Sequence, residues 1–247
     1  MRVSLQDSSK YQKTIRKNFN FRGFSLFTGE EIFMEVFPGK ENSGIFFNVG
    51  GEKISANISN LLQTEFHTTA LSGGKTKIFM IEHLMAAIWG LGVDNIEIKT
   101  DASIVPMVDA SAEGYVKAIL GVGLVGQEEY RKEIKVLGDI KFMQKEYKGR
   151  TAILKPSSEI FSISLTAPFL NPIGTHTVEY SDNPEEFERE ISWARTFLRS
   201  PLDLTDLSKW NRIRSLYKAL PKDPGKSPII TFTKDKFLVP LKKGDEP

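Results

Sequence analysis

The chain has 247 residues, 40% of them apolar and 26% charged, enough to bury a core in one large or two small globular domains. Its 33 lysines and arginines nearly balance 31 aspartates and glutamates, and the formal charge of +2 demands neither a nucleic-acid nor a membrane partner. There is no cysteine, which excludes a disulfide scaffold, a cysteine-ligated zinc finger, an iron–sulfur cluster and a cysteine nucleophile, and leaves any metal to His67, His83, His176 and the carboxylates.

The opening MRVSLQDSSKYQKTIRKNFNF lacks the apolar stretch of a secretory signal, and the longest greasy run, residues 84–93, is too short to span a bilayer. No integral membrane segment is expected, and a soluble cytoplasmic protein is the starting point. After this polar lead-in, residues 31–37 (EIFMEVF) read as a strand ended by Pro38-Gly39. Residues 43–49 and 52–58 read as a hairpin around Gly50-Gly51, a pair that accepts the positive φ of a tight turn. Leu84, Ala87, Ile88 and Leu91 recur at helical spacing, which predicts a helix over residues 81–91 before strand returns at Asn95. Ser111 is placed to cap a second helix carrying Tyr115, Ala118 and Ile119, stopped by Gly121 and Gly123.

The charged residues 127–132 (QEEYRK) are the expected linker, dividing the chain into domains at 1–126 and 133–247. Strands are then predicted at 133–142, 150–155, 160–167 and near 175–180. Asn183-Pro184-Glu185-Glu186 is a compact helix start, with a capping side chain, proline at the first position and acidic residues at the positive end. Phe187, Ile191 and Ala194 would share one face of that helix, with Arg195 near its end. A further helix over 204–220 and a last strand pair, 229–233 with 237–241, complete the pattern. Strands first and helices second, twice over, predict an α+β fold of two two-layer sandwiches of similar topology.

Adjacent Glu82 and His83 open an otherwise apolar helix. Neighbouring helix positions point about 100° apart, so the pair would flank one site, the imidazole as a ligand and the carboxylate as a base on a metal-bound water. The ordinary alternative is a glutamate favoured by the helix dipole beside a packed histidine. Thr64, Thr68 and Thr69 cluster hydroxyls around His67, which alone reads as turn chemistry. Asp109 or Ser111 reads as a cap, and His176 on a strand reads as solvent-facing or pairing. Residues 209–243 are strongly basic, either a solvated face or a landing zone for a phosphorylated ligand. No Walker loop, Rossmann glycine pattern or HExxH occurs, and no nucleic-acid partner is expected.

Taken in order, these fragments resemble the UDP-3-O-acyl-N-acetylglucosamine deacetylases of lipid A synthesis. Ile81-Glu82-His83-Leu84 followed by Gly90-Leu91-Gly92-Val93-Asp94-Asn95 is similar to that family's V-E-H-L … G-(I/V)-D-N. Pro106-Met107-Val108-Asp109-Ala110-Ser111 resembles its P-I-x-D-G-S, residues 23–29 (GFSLFTG) its G-x-G-L-H-(S/T)-G, and residues 191–197 (ISWARTF) its I-x-x-A-R-T-F. Thr68-Thr69 falls at its threonine-containing pocket loop, and Asp245-Glu246-Pro247 resembles the D-E-P before V-R-H-K.

The resemblance implies a cytoplasmic, Zn2+-dependent removal of acetate from the glucosamine nitrogen of UDP-3-O-acyl-N-acetylglucosamine or a related UDP-sugar. It implies His83 as a zinc ligand, Glu82 as general base and Thr196 as a hydrogen-bond donor to the oxyanion. Phe66, His67, Thr68 and Phe197 would line the substrate pocket. The family's two other zinc ligands come from H-K-x-x-D, and no histidine here has an aspartate four positions later. The general-acid histidine segment is also missing, Phe27 stands where the family has a histidine, and the family's glycine-rich stretch in the second domain is unrecognisable near residues 221–228. Two readings stand open: an enzyme incomplete at the C-terminus of its second domain, or a divergent paralogue that binds a UDP-sugar or a partner without hydrolysis. On both, the isolated chain is expected to hold zinc poorly and to hydrolyse nothing measurable.

Overall fold

The computed structural model describes residues 2–25, 30–64, 68–143, 150–158, 160–169, 173–199 and 230–232. The polar lead-in is itself a long strand, β1 (Val3–Ile15), followed by β2 (Phe19–Phe24) and β3 (Glu31–Pro38). In β3, Ile32, Met34 and Val36 are buried at every second position, the alternation of a half-buried strand. β4 (Ile45–Val49) and β5 (Glu52–Ser55) form the expected hairpin, with Gly50 at φ 57° and Gly51 at φ 91° in its turn. After a 3₁₀ turn (Ile58–Asn60) and β6 (Leu61–Leu62), β7 (Ala70–Gly73) and β8 (Thr76–Phe79) pair as a second hairpin that has no strong pattern in the sequence. α1 (Glu82–Gly90), β9 (Ile96–Thr100) and α2 (Glu113–Val122) complete this half.

The main sheet runs β2-β3-β9-β4-β5, antiparallel except where β4 and β9 lie parallel. Leu84, Ala87 and Ile88 of α1 and Tyr115, Val116 and Ile119 of α2 bury against Met34, Val36, Phe47 and Ile98 of the sheet. This is the two-layer α+β sandwich the pattern predicts.

Residues 127–132 are not an irregular linker. They lie inside β10 (Leu124–Val136), which pairs antiparallel with β1 from Ile15↔Leu124 to Val3↔Val136. The ribbon is exposed on both faces for most of its length, so its charged residues carry no strand alternation. Side-chain amides anchor its base. Asn95 Nδ2 donates to Gln12 Oε1 (2.7 Å) and Gln127 Oε1 (2.8 Å), and Asn95 Oδ1 accepts from Gly44 N (2.7 Å). Asp94 Oδ2 accepts from Lys13 N (2.7 Å) and Arg131 Nε (2.9 Å).

Beyond the ribbon, β11 (Ile140–Met143) pairs with β12 (Thr151–Leu154), and β13 (Ser162–Pro168) with β14 (Thr175–Ser181). Asn183 caps the next helix as expected, its side chain accepting from Glu185 N (2.9 Å) and Glu186 N (3.3 Å) ahead of α3 (Pro184–Glu186). The helix then widens to a π turn (Phe187–Ile191), with Ser192 N donating to Phe187 O (2.8 Å). That five-residue step corrects the predicted face: Phe187 and Ser192 are buried, Ile191 is half-buried and Ala194 is exposed. Arg195 lies past the helix, just before β15 (Phe197–Arg199), which pairs in parallel with β16 (Ile230–Phe232). The predicted helix over 204–220, the strand at 237–241 and the basic segment, apart from residues 230–232, lie outside the described residues.

The two halves meet at an aromatic seat. Trp89 of α1 meets Phe161 and Tyr180 edge-on at 5.6 and 5.9 Å, and Tyr180 meets Phe187 at 6.2 Å. The Phe187 ring lies directly on Gly90, where a methyl group would collide with it. Gly90→Ala therefore displaces the ring. Overpacking costs about 1–3 kcal/mol, more than the helix-propensity gain of under about 1 kcal/mol at a helix end. Urea unfolding should show a net loss of stability, and an unchanged midpoint would contradict this seating.

Tyr115 donates its hydroxyl to Pro106 O, and burial pushes its phenol far above the ordinary range, with the Asp109 and Glu82 carboxylates adding to the shift. Above about pH 10 the unfolded chain loses this proton and the folded chain keeps it, so stability falls by about 1.4 kcal/mol per pH unit from this group. Tyr115→Phe should be less stable at pH 7 by about 1–3 kcal/mol and should lose that alkaline slope. Denaturation at pH 8–11.5 measures both, and parallel curves would contradict the assignment.

Candidate active site

α1 starts without a capping side chain of its own. Ile81 at its N-cap makes no side-chain cap bond, and the chain enters through Met80, held at φ 62°. The donors ahead of the helix are met from the loop before β7: Met80 N donates to Thr68 Oγ1 (3.1 Å) and Ile81 N to Thr69 O (3.3 Å). This places Glu82 at the first helical position, where the helix dipole favours a carboxylate. Glu82 Oε2 accepts from Thr69 N (3.0 Å), and Thr68 Oγ1 stands 3.3 and 3.4 Å from its two oxygens.

His83, half-buried, reaches across to the other half of the chain, where its Nε2 lies 2.9 Å from Thr196 Oγ1. Thr196 is fixed by backbone. Its N–H donates to Ala110 O (2.8 Å), while Ala112 N donates to Ser192 O (2.9 Å). Ala110 is fully buried at φ 63°, a conformation costly for a residue with a Cβ. Asp109 Oδ1 accepts from Ser111 N (3.1 Å) and Ser111 Oγ (2.7 Å). Ser111 Oγ accepts in turn from Glu113 N (3.1 Å), so the serine satisfies the helix start as expected, although Ala112 holds the cap position of α2.

Burial pushes the His83 imidazole below its usual range, against the opposing pull of the Glu82 and Asp109 carboxylates. The ring is thus neutral at neutral pH, with a lone pair available for a cation or a hydroxyl proton. A carboxylate, a neutral imidazole and a threonine hydroxyl share one place, the side-chain set for proton transfer beside a developing negative charge.

The structure brings together Glu82, His83, Thr68 and Thr196. Phe197, next to Thr196, is 40% exposed and meets Phe169 edge-on at 5.1 Å. Phe66, His67 and Phe27 lie outside the described residues. His176 donates to Ile173 O (2.5 Å) in its own turn, which accounts for it locally. Among the described residues, no three His, Asp or Glu side chains converge as a metal site. Sequence reasoning missed Asp109 as a charge facing the imidazole, and it missed that Asp94 and Asn95 hold the ribbon base. Nothing in local spacing marks either role.

A family model described as UDP-3-O-acyl N-acetylglycosamine deacetylase matches residues 12–214. The chain is 30% identical over 193 residues to a UDP-3-O-acyl-N-acetylglucosamine deacetylase of Thioalkalivibrio sulfidiphilus, covering 75% of this chain and 62% of that protein. It is 30% identical over 190 residues to the protein of the same name in Bdellovibrio bacteriovorus, with the same shares. A bifunctional enzyme LpxC/FabZ of Porphyromonas gingivalis is 32% identical over 190 residues, covering 76% of this chain and 41% of that protein. The chain thus spans less than two thirds of the length of each of these relatives. With the model matching most of its residues, the chain belongs to the UDP-3-O-acyl-N-acetylglucosamine deacetylase family.

Proposed function

We propose that the chain carries the substrate-facing part of a centre that removes acetate from the glucosamine nitrogen of UDP-3-O-acyl-N-acetylglucosamine or a related UDP-sugar, in lipid A biosynthesis. The carrying observation is the 2.9 Å approach of His83 Nε2 to Thr196 Oγ1, with Glu82 beside it on the same helix. In this reading Glu82 is the general base: a carboxylate oxygen takes a proton from water as the water oxygen bonds to the amide carbon, and hands it to the nitrogen as the C–N bond breaks and acetate leaves. The Thr196 hydroxyl, held from behind by its own N–H, donates to the oxyanion formed as the amide carbon becomes tetrahedral. Phe197 faces the sugar and acyl approach in this reading, and Phe66 and His67, which lie outside the described residues, are proposed for the same role. A nucleotide-sugar substrate assigns the cytoplasm as the compartment, and no helix among the described residues is long and apolar enough to cross a membrane.

Zinc, when bound, would supply a Lewis acid. The described residues fit it only in part. Neutral His83 is a suitable ligand, but a catalytic zinc takes three protein ligands and no second or third converges on it among the described residues. No step is therefore routed through the metal. A second reading, a UDP-sugar-binding module without hydrolysis, rests on Phe27, which stands where the resemblance places a histidine.

Equilibrium dialysis should show zinc held more weakly than one equivalent at micromolar concentration, with the residual binding lost in His83→Ala. Tight stoichiometric zinc would contradict this. Calorimetry with UDP and the acylated UDP-sugar, followed by an acetate assay in excess zinc, separates the two functions. Without added zinc no measurable acetate release is expected. In excess zinc, which fills a weak site, the deacetylase reading expects UDP-sugar binding, and acetate release that falls about 10²–10⁴-fold in Glu82→Gln and about 10²–10³-fold in Thr196→Val. Binding without release at any zinc concentration assigns the non-catalytic module, and no binding overturns both.

A further inference from the structure

Resting on the reading of Glu82 as proton acceptor, we infer that Thr68 is the positioning residue that orients the Glu82 carboxylate, and that its hydroxyl does not contact substrate. A threonine hydroxyl has one hydrogen to give and lone pairs with which to accept. Here Oγ1 accepts the Met80 N–H at 3.1 Å, which occupies a lone pair and leaves its one hydrogen to donate to the Glu82 carboxylate. The hydroxyl stands almost equally far from both carboxylate oxygens, 3.3 Å from Oε2 and 3.4 Å from Oε1, the arrangement of one donor shared by two acceptors. Among the described residues the other acceptor in reach, Thr69 O, is farther at 3.5 Å.

The Thr69 N–H breaks this symmetry by donating to Oε2 at 3.0 Å. Oε2 therefore holds the closer pair of donors and is anchored. Among the described residues Oε1 has its share of the Thr68 hydrogen as its partner, and it is the oxygen left to take a proton. The same hydroxyl ties down the backbone at Met80, whose left-handed conformation turns the chain from β8 into α1. One side chain thus fixes both the place where Glu82 leaves the helix and the rotation of its carboxylate.

A double-mutant cycle on the full chain tests this, using urea unfolding of Thr68→Val, Glu82→Ala and the double variant, with Thr68→Ser as rescue and Thr68→Ala where valine does not fold. A hydrogen bond to a charged group predicts that losing the hydroxyl lowers the folding constant about tenfold more when Glu82 is present than when it is absent. Isotope-edited infrared spectra with 13C-labelled glutamate, differenced against Glu82→Ala, should show the Glu82 carboxylate stretch shifted in Thr68→Val and restored in Thr68→Ser. Additive stabilities within about twofold, with an unmoved carboxylate band, would reduce Thr68 to a turn residue and overturn the inference. Coupling without UDP-sugar binding would keep this role and sink the catalytic reading. Acetate release with no coupling would do the reverse.

Discussion

Thr196 meets His83 because an aromatic cluster seats one half of the chain on the other. Phe187 lies on Gly90 at the end of α1, and Trp89, Phe161 and Tyr180 close round it edge to face. Two turns back along the same helix, His83 faces the strand that begins after the π turn. The distance between the apolar seat and the polar contact is thereby set by α1 itself, a rigid element. Backbone bonds between Thr196 and Ala110, and between Ala112 and Ser192, fix the approach from the other side. Sites built on regular elements and supported from behind in this way keep their geometry better than sites carried on loops.

Strain collects at the same place. Three non-glycine residues among those described have a positive φ, and two of them, Met80 and Ala110, flank the site. Each such conformation costs on the order of 1–2 kcal/mol and persists only where the surroundings over-determine it. Met80 and Ala110 are both buried in a small cluster with Ile32, Ile104 and Met107, which supplies that constraint. What the strain obtains is position. Met80 delivers Glu82 to the first turn of α1, and Ala110 aims a carbonyl at the Thr196 N–H. Burial of the imidazole belongs to the same arrangement, since it keeps His83 neutral between two carboxylates.

Much of this is visible in the amino-acid order wherever the cause is local. Gly50-Gly51 marks its hairpin because two consecutive positive φ values suit few other residues. Asn183-Pro184 marks its helix start because the capping bonds span two and three residues. β1 and residues 124–132 of β10 escaped notice because a strand wet on both faces has no reason to alternate, and only the end of β10, within the predicted 133–142, reads as strand. The π turn escaped because its wider step breaks the 3.6-residue count on which Ile191 and Ala194 were placed. Glu82 and His83 stood out as polar residues at the head of an apolar helix. Their partners did not, since Thr68 and Thr196 lie 14 and 113 positions away and only tertiary packing brings them in. The order of the family motifs, not their spacing, pointed to Thr196, and to Thr68 as a residue of the substrate pocket rather than as a partner of Glu82.

The most direct measurement is the ring nitrogen spectrum of His83. The chain has three histidines, so long-range 1H–15N correlations of the labelled protein can be assigned by substitution. A hydroxyl contact across the two halves predicts a neutral His83 ring at pH 7 whose Nε2 resonance moves when Thr196 becomes valine, while His176 stays in place. A charged ring, or an Nε2 signal indifferent to Thr196, would contradict the account at its centre.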